Sequence, residues 1–262
     1  TTSAPARTGW CTWRAGKPRV PDAAAEPVVW TATGDPHSPR FGETYRSSSG
    51  GLAQAFCEHL QADPHCIRVQ SLGRHTHPRL DLQDEASVQA AAQAVHDGQA
   101  WHLLVVASGL LHGPGLQPEK RLADLHAASF AQVLAVNTIG PALVLRHFAP
   151  LLDKQRSLVG VLSAKVGSIG DNRLGGWYAY RASKAALNMV VKTAAIELAR
   201  THKGLVVAAL HPGTVRTSLS EPFNGQVLGT DPAEASGRLL AVLDGLRPED
   251  SGGFYAYDGQ AL

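Results

Sequence analysis

Apolar residues along this chain fall into short unbroken runs separated by longer stretches with helical spacing. The runs are "VVW" from residue 28, "CIRVQSL" from 66, "HLLVVA" from 102, "SLVGVLS" from 157, "LVVAALH" from 205 and "GFYAY" from 253, with "RLDL" at 79 a weaker candidate. "HLLVVA" and "LVVAALH" lack the alternation of a half-exposed strand, so they predict strands covered on both faces. Between the runs, "GLAQAFCEHLQ" places Leu52, Phe56 and Leu60 at i, i+4 and i+8, the stripe of a helix packed on one side. "EASVQAAAQAVHD", "AASFAQVLAVNTIGPALVLRHFAPLL", "YAYRASKAALNMVVKTAAIELART" and "DPAEASGRLLAVLDGL" also predict helices. Strands alternating with helices of this length predict an α/β fold, a doubly wound parallel sheet with helices on both faces. Ligands of such sheets bind beyond the carboxyl ends of the strands, where strand order reverses. The residues that follow each run are therefore the ones to inspect.

Composition narrows this picture. The 262 residues, 44% apolar and 18% charged, suit a single domain with a sizeable core. A net charge of +2 without a dense Lys/Arg run gives no reason to expect a nucleic-acid partner, and no apolar run predicts a membrane span. Cys11, Cys57 and Cys66 are too few and too irregular for a disulfide framework or a zinc motif, which favours free thiols in a reducing, cytoplasmic setting. His75-Thr76-His77 has no Cys or carboxylate partner nearby, so no metal site is expected. Residues 1–21 carry Arg7, Arg14, Lys17 and Arg19 and no acid, a composition mildly like an organelle transit peptide. Pro5 and Pro18 oppose an amphipathic helix there. Residues 1–27 are therefore expected to be a disordered leader and 28–262 the folded domain.

The candidate chemistry begins at Tyr180 and Lys184. Four residues apart on one predicted helix, they stack on the same face. An ammonium there favours the phenolate and would draw the tyrosine pKa down from about 10 towards neutrality. Such a tyrosine can protonate a carbonyl oxygen or deprotonate an alcohol. An ordinary surface Tyr/Lys pair is the bland alternative, and Y-x-x-x-K alone is a weak signal.

With its surroundings the stretch becomes specific. "SAKVGSIGDNRLGGWYAYRASKAALN" resembles the short-chain dehydrogenase/reductase family, and in particular its C-factor-like and sniffer-like carbonyl-reductase branch. The resemblance covers residues 46–262 and implies a Rossmann-like fold. "LAVNTIGPAL" places Asn137 where the family keeps an asparagine that holds a water linked to the active-site lysine. "HPGTVRTSL" matches the Pro212-Gly213 turn, after which Val215 would meet the nicotinamide carboxamide and Thr217 the phosphates. "LDLQDEASV" places Asp81 where the family contacts adenine, and "GGFYAYDGQAL" is similar to its closing strand. The resemblance implies hydride transfer between a nicotinamide and a carbonyl carbon. Tyr180 would be the acid, Lys184 would also hold the nicotinamide ribose, and Asn137 would anchor the proton relay.

Three departures bear on that expectation. Where the family has a Ser-Ser-like pair, this chain has Ser163-Ala164. Ser163 is the expected catalytic serine and Ser168 the alternative, unless both merely serve the turn. Val106-Ala107-Ser108-Gly109 replaces Asn-Asn-Ala-Gly, leaving Ser108 and Gly109 small enough for close approach of the adenine ribose. "RSSSGGLAQAF" stands at the glycine-rich phosphate turn with Ser47 and Ala53 at two of three glycine positions, so Ser47, Ser49 and Gly51 are the expected phosphate contacts. Residues 34–46 lengthen the link from the first strand. Arg74 follows the second strand with no acid nearby, which favours NADP over NAD. The expected partner is a small carbonyl or alcohol, apolar or aromatic, with Trp177, Tyr178 and "SEPFNGQVLG" lining the pocket. Apolar residues on more than one face of the helix from Tyr180 (Leu187, Met189, Val190, Val191, Ile196) predict a homo-oligomer. The rival reading is a catalytically silent relative kept for binding or signalling.

Overall fold

The computed structural model describes residues 27–31, 51–63, 66 and 68–262. The expected leader falls outside these residues except for Pro27, which opens the first strand, and the 34–46 insertion also lies outside them. Among the described residues six parallel strands form one sheet: β1 Pro27–Thr31, β2 Arg68–Leu72, β3 Leu103–Val106, β4 Ser157–Leu162, β5 Leu205–His211 and β6 Phe254–Ala256. Their order is β2-β1-β3-β4-β5-β6. The chain crosses from β2 at one edge to β3 on the far side of β1, so strand order reverses between β1 and β3. "RLDL" forms no strand: Arg79 makes a single bridge to Gly73 and the chain turns away towards a helix.

The helices are α1 Gly51–Ala62, α2 Glu85–Val95, α3 Ala127–Leu134, α4 Gly140–Phe148, α5 Tyr178–Leu198, α6 Gly225–Leu228 and α7 Pro232–Gly245. Every residue of β3 and β4 is buried, and alternate side chains serve opposite faces. Leu104, Val106, Val159, Val161 and Val207 pack with Val88, Val144, Phe148, Leu187 and Val191 under α2–α5. Leu103, Val105, Leu158, Val206 and Leu210 pack with Leu52, Phe56, Leu60, Leu239 and Leu243 under α1 and α7. This two-sided burial explains why these strands read as unbroken apolar runs.

The long run from residue 127 is not one α-helix. Between α3 and α4 the turn Ala135–Ile139 widens to π geometry, and Gly140 N–H bonds back to Ala135 C=O. Such bulges concentrate at functional sites because they re-aim the side chains of one turn; this one contains Asn137. The Ala127–Leu151 stretch is long and apolar enough to cross a membrane by length and composition, yet its Val133, Val136, Val144, Leu145 and Phe148 are buried in the sheet-facing core. Asp84 and Asp231 cap α2 and α7 by accepting N–H bonds from Ser87 and Ala233. No side chain caps α5 from its own N-cap residue, Trp177.

Candidate active site

Tyr180 and Lys184 lie one turn apart on α5 and are both buried, Lys184 at only 2% exposure. The Lys184 Nζ donates to the Leu162 carbonyl at the end of β4 (2.9 Å) and stands 5.9 Å from the centre of the Tyr180 ring. Burial acts on the two groups in opposite senses. It pushes the Tyr180 phenol up to about 12 and the Lys184 ammonium down to about 7, because each loses hydration of its charged form. The direction is the opposite of the depressed tyrosine expected from a lysine neighbour, because burial is the cause that acts on the phenol.

Asn137 is fully buried, and its amide is engaged within the protein. Its Oδ1 accepts from Leu110 N–H (2.7 Å), while Nδ2 donates to Leu110 C=O (2.8 Å) and to Ser183 Oγ (3.0 Å). Ser183 Oγ in turn donates to the Tyr180 carbonyl (2.8 Å), and Thr138 Oγ1 donates to the Ser183 carbonyl (2.8 Å). The side chain therefore ties the loop after β3 to α5. Ser163 directly follows β4, and its hydroxyl donates to Asn188 Oδ1 on α5 (2.6 Å). Ala164 follows, and Ser168 closes the 3-10 turn Lys165–Gly167 with its N–H on the Lys165 carbonyl.

Further expected contacts gather at the carboxyl ends of the strands. Ser108, just after β3, is 5% exposed, and its Oγ is buried with no hydrogen-bond partner. A buried hydroxyl left unsatisfied is costly, so a ligand that bonds it would recover that energy. Gly109 follows it, and among the described residues only Leu219 is near where a Cβ would stand. After β5 come Pro212 and Gly213; Gly213 has φ +74°, and a Cβ there would stand 3.0 Å from the Tyr257 ring. Val215 is buried, its carbonyl accepting from Ser220 Oγ and Thr217 Oγ1, and Thr217 N–H donates to Ser220 Oγ (3.2 Å). Gly51 starts α1, which has no acid in its first turn, and Thr217 Cγ2 lies 3.9 Å from a Cβ built at Gly51. Gly51 and Thr217, far apart in sequence, thus share one corner. Ser47 and Ser49 lie outside the described residues.

Around the second strand, Arg74 is half-buried in the turn after β2. Asp81 is engaged by Arg79 Nη2 (2.6 Å) and by Gln83 N–H (3.1 Å). His75 and His77 are exposed, and no group of three His, Cys, Asp or Glu among the described residues could hold a metal ion.

An aromatic wall borders Tyr180. The Trp177 ring lies 6.2 Å from Tyr180 at 78° and 4.9 Å from Phe223 at 59°, and Phe223 meets His112 edge-on at 5.8 Å. Sequence reasoning missed His112, Glu119, Arg181, Ser183 and Asn188. Asn188 and Ser183 share α5 with Lys184, and helical spacing could have found Asn188; nothing in the sequence marks Glu119, whose partners are backbone groups.

Residues 58–255 match the family model described as Enoyl-(Acyl carrier protein) reductase. The chain is 33% identical over 194 residues to the 1-hydroxy-2-glutathionyl-2-methyl-3-butene dehydrogenase of Rhodococcus sp. strain AD45, covering 74% of this chain and 82% of that one. It is 40% identical over 141 residues to the C-signal protein of Myxococcus xanthus, covering 53% of this chain and 80% of that one. In fold it is similar to the NADPH-bound carbonyl reductase from chicken fatty liver (TM-score 0.72, 24% identity, 90% of this chain and 99% of that one). It is equally similar to the carbonyl reductase Sniffer of D. melanogaster (TM-score 0.73, 20% identity, 92% of this chain and 99% of that one).

Proposed function

The chain belongs to the short-chain dehydrogenase/reductase family and is an oxidoreductase of that family; from that premise we propose that it reduces a small apolar or aromatic carbonyl with NADPH. The observation that carries this reading is the buried Tyr180/Lys184 pair at the carboxyl end of β4. A nicotinamide, when bound, supplies the hydride. Tyr180, held neutral by burial, is in the protonation state an acid needs to give its proton to a carbonyl oxygen. Lys184, drawn to about 7, can exchange a proton near neutrality and so restore that state. Asn137 and Ser183 fix the backbone of the turn that carries Tyr180.

The residues present fit a nicotinamide dinucleotide. Ser108 offers a buried, unpartnered hydroxyl, Gly51 and Thr217 share the corner at the α1 N-terminus, and Gly213 keeps the chain after β5 close to Tyr257. Ser47 and Ser49 are part of the proposed phosphate contacts. Arg74, with no acid at the end of β2, supports NADP over NAD. The chicken liver carbonyl reductase, similar in fold, holds NADPH, which agrees with that choice. Ser163 is the proposed serine of the site, released from Asn188 when substrate binds, with Ser168 the alternative. Trp177 and Phe223 supply the apolar wall. The exposed Ile139, Met189 and Ile196 support a homo-oligomer through the π turn and α5. The free thiols of Cys57 and Cys66 support a cytoplasmic location.

Titration of the purified protein with NADPH and NADH, followed by nicotinamide fluorescence, tests the cofactor; a panel of aromatic and aliphatic carbonyls tests the reaction. Micromolar NADPH binding with weaker NADH binding is expected. Binding of neither would favour the rival, a catalytically silent binding or signalling protein, for which Ala164 in place of the family serine already speaks.

A further inference from the structure

Immediately before α5 the backbone takes an unusual path. Gly175, Gly176 and Trp177 have φ of +64°, +65° and +53°, three successive residues in the left-handed region. Glycine accepts this freely, but tryptophan suffers the clash of its Cβ with the backbone. Such a conformation persists only where the surroundings over-determine it, and strained residues of this kind gather at active sites. Here the surroundings include two residues, Glu119 and Arg181, that lie outside the catalytic set.

Glu119, remote in sequence and 5% exposed, meets the turn from one side. Its carbonyl accepts the Trp177 N–H at 2.5 Å, and its Oε2 accepts the Ala179 N–H at 3.2 Å. The carboxylate does what the absent N-cap side chain of α5 would do, satisfying a first-turn donor that would otherwise be buried unpaired. Arg181 grips the turn from the other side: Nε donates to Gly176 C=O (3.0 Å), Nη2 to Gly175 C=O (3.2 Å) and Nη1 to Val166 C=O (3.4 Å). Asn172 Oδ1 also accepts the Gly175 N–H at 3.0 Å. Apart from the bond to Val166, these bonds converge on the segment that sets where the Trp177 indole stands, against Tyr180 and Phe223.

We propose that Glu119 and Arg181 are positioning residues that clamp this left-handed turn, and that the Trp177 they aim is the specificity-determining residue of the site, selecting flat aromatic carbonyls over small aliphatic ones. The selectivity half rests on the carbonyl-reductase reading above; the clamp does not. An indole held edge-on to Tyr180 and tilted on Phe223 presents a rigid apolar wall beside the phenol that meets the carbonyl. A polar or charged group on the substrate would have to be desolvated against that wall.

The test uses the full chain carrying 5-fluorotryptophan, with the Trp177 fluorine resonance assigned by loss in Trp177→Phe. Glu119→Ala and Arg181→Lys, each first shown to keep the wild-type circular dichroism spectrum, should shift or broaden that resonance. Glu119→Gln, whose amide oxygen can still accept from Ala179, should restore much of it. An unchanged Trp177 resonance in Glu119→Ala and Arg181→Lys overturns the clamp, whatever the enzyme does. In parallel, kcat/KM with NADPH is measured for phenanthrenequinone and for butanal. Trp177→Gly, which accepts the positive φ without a side chain, should lose aromatic preference by about ten-fold, mostly through KM, with NADPH affinity unchanged. Retained preference in Trp177→Gly overturns the specificity role. Wild-type protein inert to both carbonyls would instead sink the reductase reading and the selectivity built on it, while the fluorine result still decides the clamp.

Discussion

At the Tyr180 end of the candidate site, three elements are locked together by bonds between side chains and backbone; at the Gly51 end, the described neighbours Pro232 and Thr217 stand at van der Waals distance from a Cβ built there, and Thr217 bonds within its own loop. Asn137, Ser183 and Lys184 commit their own polar atoms and those of the Leu110, Tyr180 and Leu162 backbone to one arrangement. Around Gly51, a built Cβ would meet Pro232 Cγ at 3.6 Å and Thr217 Cγ2 at 3.9 Å, ordinary packing distances. A proton-transfer centre must be rigid before substrate arrives, since its geometry sets the reaction barrier. A phosphate corner needs only open backbone N–H groups and a favourable helix end. Substitutions should therefore be severe at one end and graded at the other.

The largest contrast is expected from Tyr180→Phe. It removes the proposed acid while keeping the ring against Trp177, so kcat/KM for carbonyl reduction should fall by roughly a thousand-fold with NADPH affinity unchanged. Activity close to wild type would falsify the assignment of Tyr180.

Asn137→Leu should act on stability first. It strands the Leu110 N–H and C=O and a Ser183 bond in the interior, at a cost of about 3 kcal/mol. Urea denaturation measures this directly, and a loss below about 0.5 kcal/mol would mean the brace is dispensable.

Lys184 links the same centre to pH. Its folded pKa, about 7, lies below the 10.5 of the exposed group, so between those values the unfolded chain binds more protons and stability rises with pH. Tyr180 works in the opposite sense, but only above pH 10, where the unfolded phenol ionises and the folded one, held near 12, does not. Unfolding free energy should therefore climb from about pH 7 to about pH 9.5 by at most about 3 kcal/mol. Lys184→Met should flatten that slope and be more stable than wild type at neutral pH. An equal slope in both proteins would place the titration elsewhere.

The smallest effect belongs to Gly51→Ala. The added methyl fits the space beside Pro232, and alanine favours the helix, so stability should stay within about 1 kcal/mol of wild type. NADPH should nonetheless bind a few-fold more weakly, because the methyl occupies the corner shared with Thr217. Unaltered affinity would move the phosphates away from that corner and erase the contrast between the two ends.

The elements and their class were legible in the order of residues. Buried parallel strands must be apolar on both faces and helices must repeat every three or four residues, so both patterns are written locally and all six stronger strand candidates are strands. Tyr180 and Lys184 were legible for the same reason, since four residues on a helix fix their neighbourhood whatever else the chain does. "RLDL" misled because a short apolar alternation does not say whether the next strand along has an edge to offer. The direction of the Tyr180 shift came only with the folded core, because it depends on burial rather than on the lysine beside it. Folding likewise turned Ser163 towards Asn188, gave Asn137 its bonds to Leu110 and Ser183, and set Glu119 against the start of α5. Those contacts join residues with no shared period, and many of their partners are backbone groups that every residue carries. Spacing encodes what one element does to itself; what two elements do to each other is settled only when the core that presses them together has formed.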